Sequence, residues 1–172
     1  GRISEQDLQQ MTSCMSHRGP DSEGFYFSED KTVGMGHRRL SIIDLSTAAN
    51  QPMFSHNGRY VTVFNGEIYN YQEIAKQLNI SQKTHSDTEI IIEAFALKGP
   101  SFVNLLNGMF AIAIYDTAEN KMYLFFDRMG VKPLYYFFDG KSLCWWSERK
   151  ALLKRPHIKA NVQLNKKAVY TL

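Results

Sequence analysis

Four runs in the second half of the chain set the tightest limit on its fold: "MFAIAIYD", "KMYLFFD", "PLYYFFD" and "SLCWWSE". They are aromatic and β-branched, and only "TAENK", "RMGVK" and "DGK" separate them, so they read as a meander of short strands. A strand with one face in water alternates apolar and polar residues, whereas these runs are nearly continuously apolar. Sheets covered on both faces are therefore expected, with helices layered on them. A chain of 172 residues, 44% hydrophobic and 22% charged, is long enough for one domain with a real core.

The first half supplies the helices. "SEQDLQQMTSCMSH" opens with Ser4 and Asp7 in capping-box spacing and places Leu8, Met11, Cys14 and Met15 on one face. "RGPDSEG" ends that helix, and "FYF", "TVGMGHRRL" and "YVTVFNGEI" read as strands, the last two joined by a polar loop with Gln51-Pro52 and Asn57-Gly58. A short helix is expected at "YQEIAKQL" and a longer one at "SDTEIIIEAFALKGP". In the latter Ser86 stands three residues before Glu89, Ile90, Ile91, Ala94 and Phe95 form the apolar face, and Lys-Gly-Pro is the stop. "SFVNLLNG" adds a further helical turn or two. The tail "HIKANVQLNKKAVYTL" has no comparable core signal and reads as an extension or a linker.

Composition removes several classes of function. Twenty Lys and Arg against 17 Asp and Glu give a net charge of +3, and the densest basic group is Arg149, Lys150, Lys154 and Arg155. That is too dilute for a nucleic-acid surface. No apolar stretch approaches the ~20 residues that cross a bilayer, and no secretion signal opens the sequence, so a cytoplasmic protein is expected. Cys14 and Cys144 lack metal-type spacing and read as reduced, buried thiols. His17, His37, His56, His85 and His157 are dispersed, so no metal site is expected.

Four polar groups of residues interrupt these structural segments. Arg38 and Arg39 end a strand in "GHRRLSIID"; a surface salt bridge is the plain reading, yet a fixed guanidinium is also the best side chain for gripping a carboxylate. In "FNGEIYN" a tight turn is the plain reading, but the Asn65 amide and the Gly66 N–H form a plausible oxyanion pair. In "THSDTEI", Ser86 and Asp87 need no role beyond capping. "DRMGVKPLYY", with Gly130 and Pro133, reads as architecture.

Taken in order, "HRGPD", "RRLSIID", "NGEIYN", "SDTE", "GVKPLYY" and "SERKALL" resemble the glutaminase domain of asparagine synthetase, a class II glutamine amidotransferase, over about the whole chain. The resemblance implies an α+β fold of the N-terminal-nucleophile type, four layers αββα with two stacked antiparallel sheets. It implies a glutamine amidotransferase domain over residues 1–155 and, over 156–172, the lead-in to an ATP-pyrophosphatase synthetase domain. Arg39 is similar to the arginine that binds the substrate α-carboxylate, and the backbone at Ile43 to a further glutamine contact. Asn65 and Gly66 match the oxyanion hole, which would make "FNGEIYN" a substrate-facing turn. Glu67 and Asp87 match the groups that hold the α-ammonium. The partners implied are glutamine and the synthetase domain, with a homodimer allowed. No cofactor is implied in this domain, and ATP and Mg in the other.

The family's nucleophile is a cysteine at the mature amino terminus, followed by a Gly-Ile strand, and neither is found in these 172 residues. The chain by itself is therefore expected to be inactive towards glutamine, and to belong to a longer parent that supplies the thiol. The competing reading is a non-catalytic scaffold similar to that of β-lactam synthetase. Two further departures are local. Phe125 and Phe126 stand where the family tends to have alanine and arginine, and Trp145 and Trp146 where it tends to have phenylalanine and alanine.

Overall fold

The structure is a computed structural model, and it describes residues 3–40 and 47–162. Helix α1, Glu5–Ser13, starts at the Ser4 cap, whose hydroxyl accepts from the Asp7 N–H at 3.3 Å. Strands β1, Ser22–Phe27, and β2, Gly34–Arg39, pair antiparallel as a hairpin. The central sheet follows, in the order β3, Met53–Phe54; β4, Tyr60–Ile68; β5, Gly108–Asp116; β6, Lys121–Phe126. Between β4 and β5 lie α2, Tyr71–Gln77, α3, Asp87–Lys98, and a 3-10 segment, Gly99–Leu105, the expected extra turns at "SFVNLLNG". A second hairpin, β7, Tyr135–Phe138, with β8, Leu143–Trp146, leads to α4, Arg149–Leu152, and α5, Pro156–Ala160.

The two-residue period of the strands sorts the central sheet into two faces. Phe64, Ile68, Phe110, Ile112 and Ile114 pack on α2 and α3 through Ile74, Ile90, Ile91, Ala94 and Phe95. The alternate residues Val61, Ala113 and Tyr115 face the hairpin layer, meeting Met35 of β2 and Trp145 of β8. Behind the β7–β8 hairpin, Met11 of α1, Leu152 of α4 and Ile158 of α5 close a third cluster around Phe137, Cys144 and Trp146. The sequence of layers is helices, sheet, hairpins, helices. This is the αββα order of stacked antiparallel sheets, with the second layer divided, among the described residues, into two hairpins.

Several expectations need correction. β5 is covered on both faces as expected, but Tyr136 and Phe138 of β7 are 70% and 61% exposed. By register they share the face of Trp145 and Leu143, of which Trp145 alone reaches the cluster around Met35 and Val61. Cys14 is not on a buried helical face: α1 ends at Ser13, and the partly exposed thiol donates to the Gln10 carbonyl at 3.2 Å. Cys144 is likewise only partly buried. Glu89 does not complete a capping box with Ser86. It is buried, accepting from the Lys83 and Thr84 amides and bonding His56 at 2.7 Å. The tail that reads without a core signal supplies Ile158, which is 4% exposed.

The unusual aromatics are absorbed differently. Phe125 packs edge-on against Phe102, with ring centroids 5.2 Å apart, and fits the α3 face of the sheet, whereas Phe126 is exposed. "DRMGVK" is architectural as expected: the buried Asp127 carboxylate accepts from the amides of Phe110, Met129, Val131 and Lys132.

Candidate active site

"FNGEIYN" is not a turn. β4 runs through Asn65 and Gly66 to Ile68, each paired in register with β5, with Gly66 opposite Phe110. A Cβ on Gly66 would lie against the Met109 carbonyl oxygen and 2.8 Å from Phe110 Cα, so the close approach of the two strands selects glycine here. Its φ of +156° adds a second reason.

The ladder also fixes where the polar groups of this stretch point. Phe110 donates its N–H to Asp127 Oδ2 and accepts the Asp127 N–H, so both its backbone groups face away from β4. Gly66 opposite is then a non-hydrogen-bonded pair, and its N–H points outward from β4. This is the edge that β3 pairs only at Val61 and Thr62. The same edge carries the Phe64 N–H, donated to Gln51 Oε1, and the Phe64 carbonyl, which accepts from His37 Nε2 at 3.2 Å. Further along, the Ile68 N–H is donated to Asp87 Oδ2 at 3.1 Å. The side chains of Asn65 and Glu67 follow the parity of Val61 and Val63 and face the hairpin layer. There the Asn65 amide donates to Ser147 Oγ at 3.4 Å.

Asn65, Gly66, Glu67, Arg39 and Asp87 all line one cavity of about 1000 Å³ between the central sheet and the hairpins. Arg39 ends β2 and is 9% exposed, with one guanidinium NH donating to Asn50 Oδ1 at 2.7 Å. Asn50 also accepts from Ser22 Oγ at 3.3 Å, which holds that anchor in place. Asp87 is the first residue of α3 after the Ser86 cap. Burial pushes its carboxyl up to about 6, the Glu67 charge adding to the rise and amide donors from Ile68 and Thr88 opposing it. Ile43, the remaining expected contact, lies outside the described residues.

Sequence reading missed the residues that hold this constellation. Gln51 accepts from Phe64 and donates to Thr88 Oγ1 at 3.2 Å, tying β4 to the start of α3. Arg18 of "HRGPD" and Ser147-Glu148 of "SERK" meet across the fold, the Arg18 guanidinium reaching the Ser147 carbonyl at 3.5 Å and Glu148 at 3.7 Å. The two motifs could have been paired by their opposite charge; Gln51 gave no signal of its own. Cys144 also lines the cavity, but burial raises its thiol above the ordinary range, which disfavours the thiolate. Among the described residues no group of three or more His, Cys, Asp or Glu could hold a metal ion, and no helix is long and apolar enough to cross a membrane.

Sequence comparison agrees with this geometry. Residues 1–172 match the glutamine amidotransferase domain family, and the chain belongs to it. It is 44% identical over 151 residues to the glutamine-hydrolysing asparagine synthetase 2 of Bacillus subtilis, covering 87% of this chain and 20% of that protein. It is 39% identical over 150 residues to the amidase chry2 of Gibberella zeae, covering 86% and 22%. Against the glutamine-hydrolysing asparagine synthetase B of Escherichia coli it is 37% identical over 147 residues, covering 84% and 26%. The chain thus spans about a fifth to a quarter of the length of these relatives.

Proposed function

We propose that this chain is the glutamine-hydrolysing domain of an asparagine-synthetase-like amidotransferase, releasing ammonia for transfer to an ATP-activated carboxylate. The observation that carries the reading is the convergence on one cavity of a buried guanidinium, two carboxylates and an amide beside an outward-pointing glycine N–H. Arg39 would take the α-carboxylate of glutamine, and Glu67 with Asp87 its α-ammonium. The side-chain amide would then lie against Asn65 and Gly66. A cysteine thiolate attacks the amide carbon, forming the C–S bond while the carbonyl oxygen takes the negative charge under those two donors. Expulsion of ammonia, with a proton from the ammonium of that cysteine, leaves a thioester, and water cleaves it to glutamate and free thiol.

The thiol would come from a segment ahead of Gly1 in the parent protein. ATP and Mg would act in a further domain after residue 155, as would the acceptor. Cytoplasmic residence completes the proposal, which allows a homodimer. Glutamate release should be seen when the domain carries its native upstream segment with the cysteine, and should vanish when that cysteine becomes alanine. Release by residues 1–172 alone, abolished by Cys144→Ser or Cys14→Ser, would defeat the assignment of the nucleophile. No release by the extended protein would defeat the function.

The raised Asp87 carboxyl adds a pH prediction. Its proton must leave before it can pair with an ammonium, so kcat/KM for glutamine should climb as pH rises through about 6 and plateau above. Asp87→Asn should remove that limb and hold kcat/KM low at all pH values. A limb that survives in the variant would mean that another group sets it.

A further inference from the structure

His37 is a titratable side chain on the cavity wall to which the proposed reaction gives no part. It lies on β2, two residues before Arg39, and its Nε2 is 3.2 Å from the Phe64 carbonyl oxygen of β4. A carbonyl only accepts, so Nε2 carries the hydrogen and donates. Nδ1 is buried without a hydrogen-bond partner. Burial, with the charge of Arg39 adding to it, holds the ring down to about 4, while the Phe64 carbonyl opposes that shift. At neutral pH the ring is the uncharged Nε2–H tautomer. Leaving an imidazole nitrogen buried and unpaired costs free energy, so the ring's position calls for a compensating use.

The use is visible in what the bond holds. The Phe64 carbonyl belongs to the peptide unit that leads into Asn65, and Gly66 N–H is the next amide along the same outward edge of β4. The Asn65 N–H of that unit points into the β5 ladder, so the peptide plane is gripped from both sides, by β5 and by His37. β3 does not reach this far, and among the described residues it is Gln51, on the Phe64 N–H, and His37, on the Phe64 carbonyl, that fix the edge just before the two donors. It also links β2, which carries Arg39, to β4, which carries Asn65 and Gly66.

We infer that His37 is a positioning residue for glutamine hydrolysis, its Nε2–H holding the Phe64 carbonyl so that the Asn65 amide and the Gly66 N–H keep their relative aim. This rests on the reading of those two groups as oxyanion donors. An error of about 1 Å in such a constellation costs up to ~100-fold in rate, and it appears in kcat rather than in ground-state binding.

The test compares His37→Gln with His37→Asn in the full-length protein. A glutamine amide reaches the position of Nε2 and can donate to Phe64, whereas an asparagine amide reaches only that of Nδ1. His37→Gln should keep kcat for glutamate release within about threefold of the unchanged protein, and His37→Asn should lose at least ~10-fold in kcat with KM little altered. His37→Leu should match His37→Asn if it folds. Equal kcat in the Gln and Asn variants, or a loss confined to KM, would overturn the inference while leaving the glutaminase reading standing. An unchanged protein that releases no glutamate would overturn both.

Discussion

Asn65→Ala should lower kcat for glutamine hydrolysis by ~100-fold or more, the scale of one lost oxyanion donor, with KM for glutamine nearly unchanged. The amide oxygen of bound glutamine is neutral and becomes anionic only after the thiolate adds, so a donor aimed at it contributes most in the transition state. The Asn65 side chain belongs to the cavity face of β4, and its one described bond there, to Ser147 Oγ, is long at 3.4 Å. The amide can therefore turn to a better acceptor without breaking a strong contact. The backbone of β4 is held by β5 on one side and by Gln51 and His37 on the other, so truncation to alanine should leave the fold intact. Gly66 N–H remains, which is why activity should fall steeply and not disappear. Steady-state glutamate release measures the first effect. Synthesis from free ammonia in the full-length protein, which needs no glutamine, should be unaffected. An unchanged kcat would return Asn65 to a structural role.

Much of this site could be read from the chain, for reasons that differ from residue to residue. "YVTVFNGEI" was legible as a strand because its β-branched residues alternate, and β4 covers those nine residues. The Asn-Gly pair within it was misleading. That pair favours a hairpin where the backbone is free to reverse, but here β5 pairs with every residue from Tyr60 to Ile68, and tertiary pairing overrides the local preference. The parity that puts Asn65 and Glu67 on the cavity face follows from Val61 and Val63, yet which face is the cavity depends on the hairpin layer. Nothing local to β4 specifies that layer.

Long-range polar contacts were the least legible. His37 and Phe64 are 27 residues apart, and the acceptor is a backbone carbonyl that every residue possesses. Gln51 bridges to Phe64 and to Thr88, separations of 13 and 37 residues. Glu89 was misread because Ser86 three residues earlier fits a capping box, whereas the loop at Lys83 and Thr84 offers two amides and captures the carboxylate. Burial would raise that carboxyl, but the Lys83 and Thr84 donors outweigh it and hold it below the ordinary range. Local spacing identifies which groups can cap; only the fold decides which acceptor they meet.

Arg39→Ala should raise KM for glutamine by ~100-fold, with a smaller effect on kcat, and this follows from what the guanidinium does before any bond is made. It is 9% exposed at the end of β2, so a substrate carboxylate meeting it leaves water for a site already short of water. Hydrogen bonds between charged groups contribute about 1.5–3 kcal/mol each, and the planar guanidinium can offer two in parallel. The Asn50 side chain, 2.7 Å from one guanidinium nitrogen, helps to fix the direction in which the group points. Removing the guanidinium strips a ground-state contact that persists unchanged into the transition state, and such losses appear in KM. Arg39→Lys separates charge from shape: the ammonium keeps the sign but cannot form the parallel pair or reach both Asn50 and a carboxylate in one plane, so its KM should fall between those of the unchanged protein and of the alanine variant. Because Arg39 also sits among buried neighbours, the ammonia-dependent reaction and the melting temperature must be followed in both variants. If ammonia-dependent synthesis falls as far as glutamine-dependent synthesis, Arg39 is holding β2 in place, and the carboxylate must be bound elsewhere. If only the glutamine reaction suffers, and lysine recovers part of it, the guanidinium at the end of β2 is the group that receives the substrate.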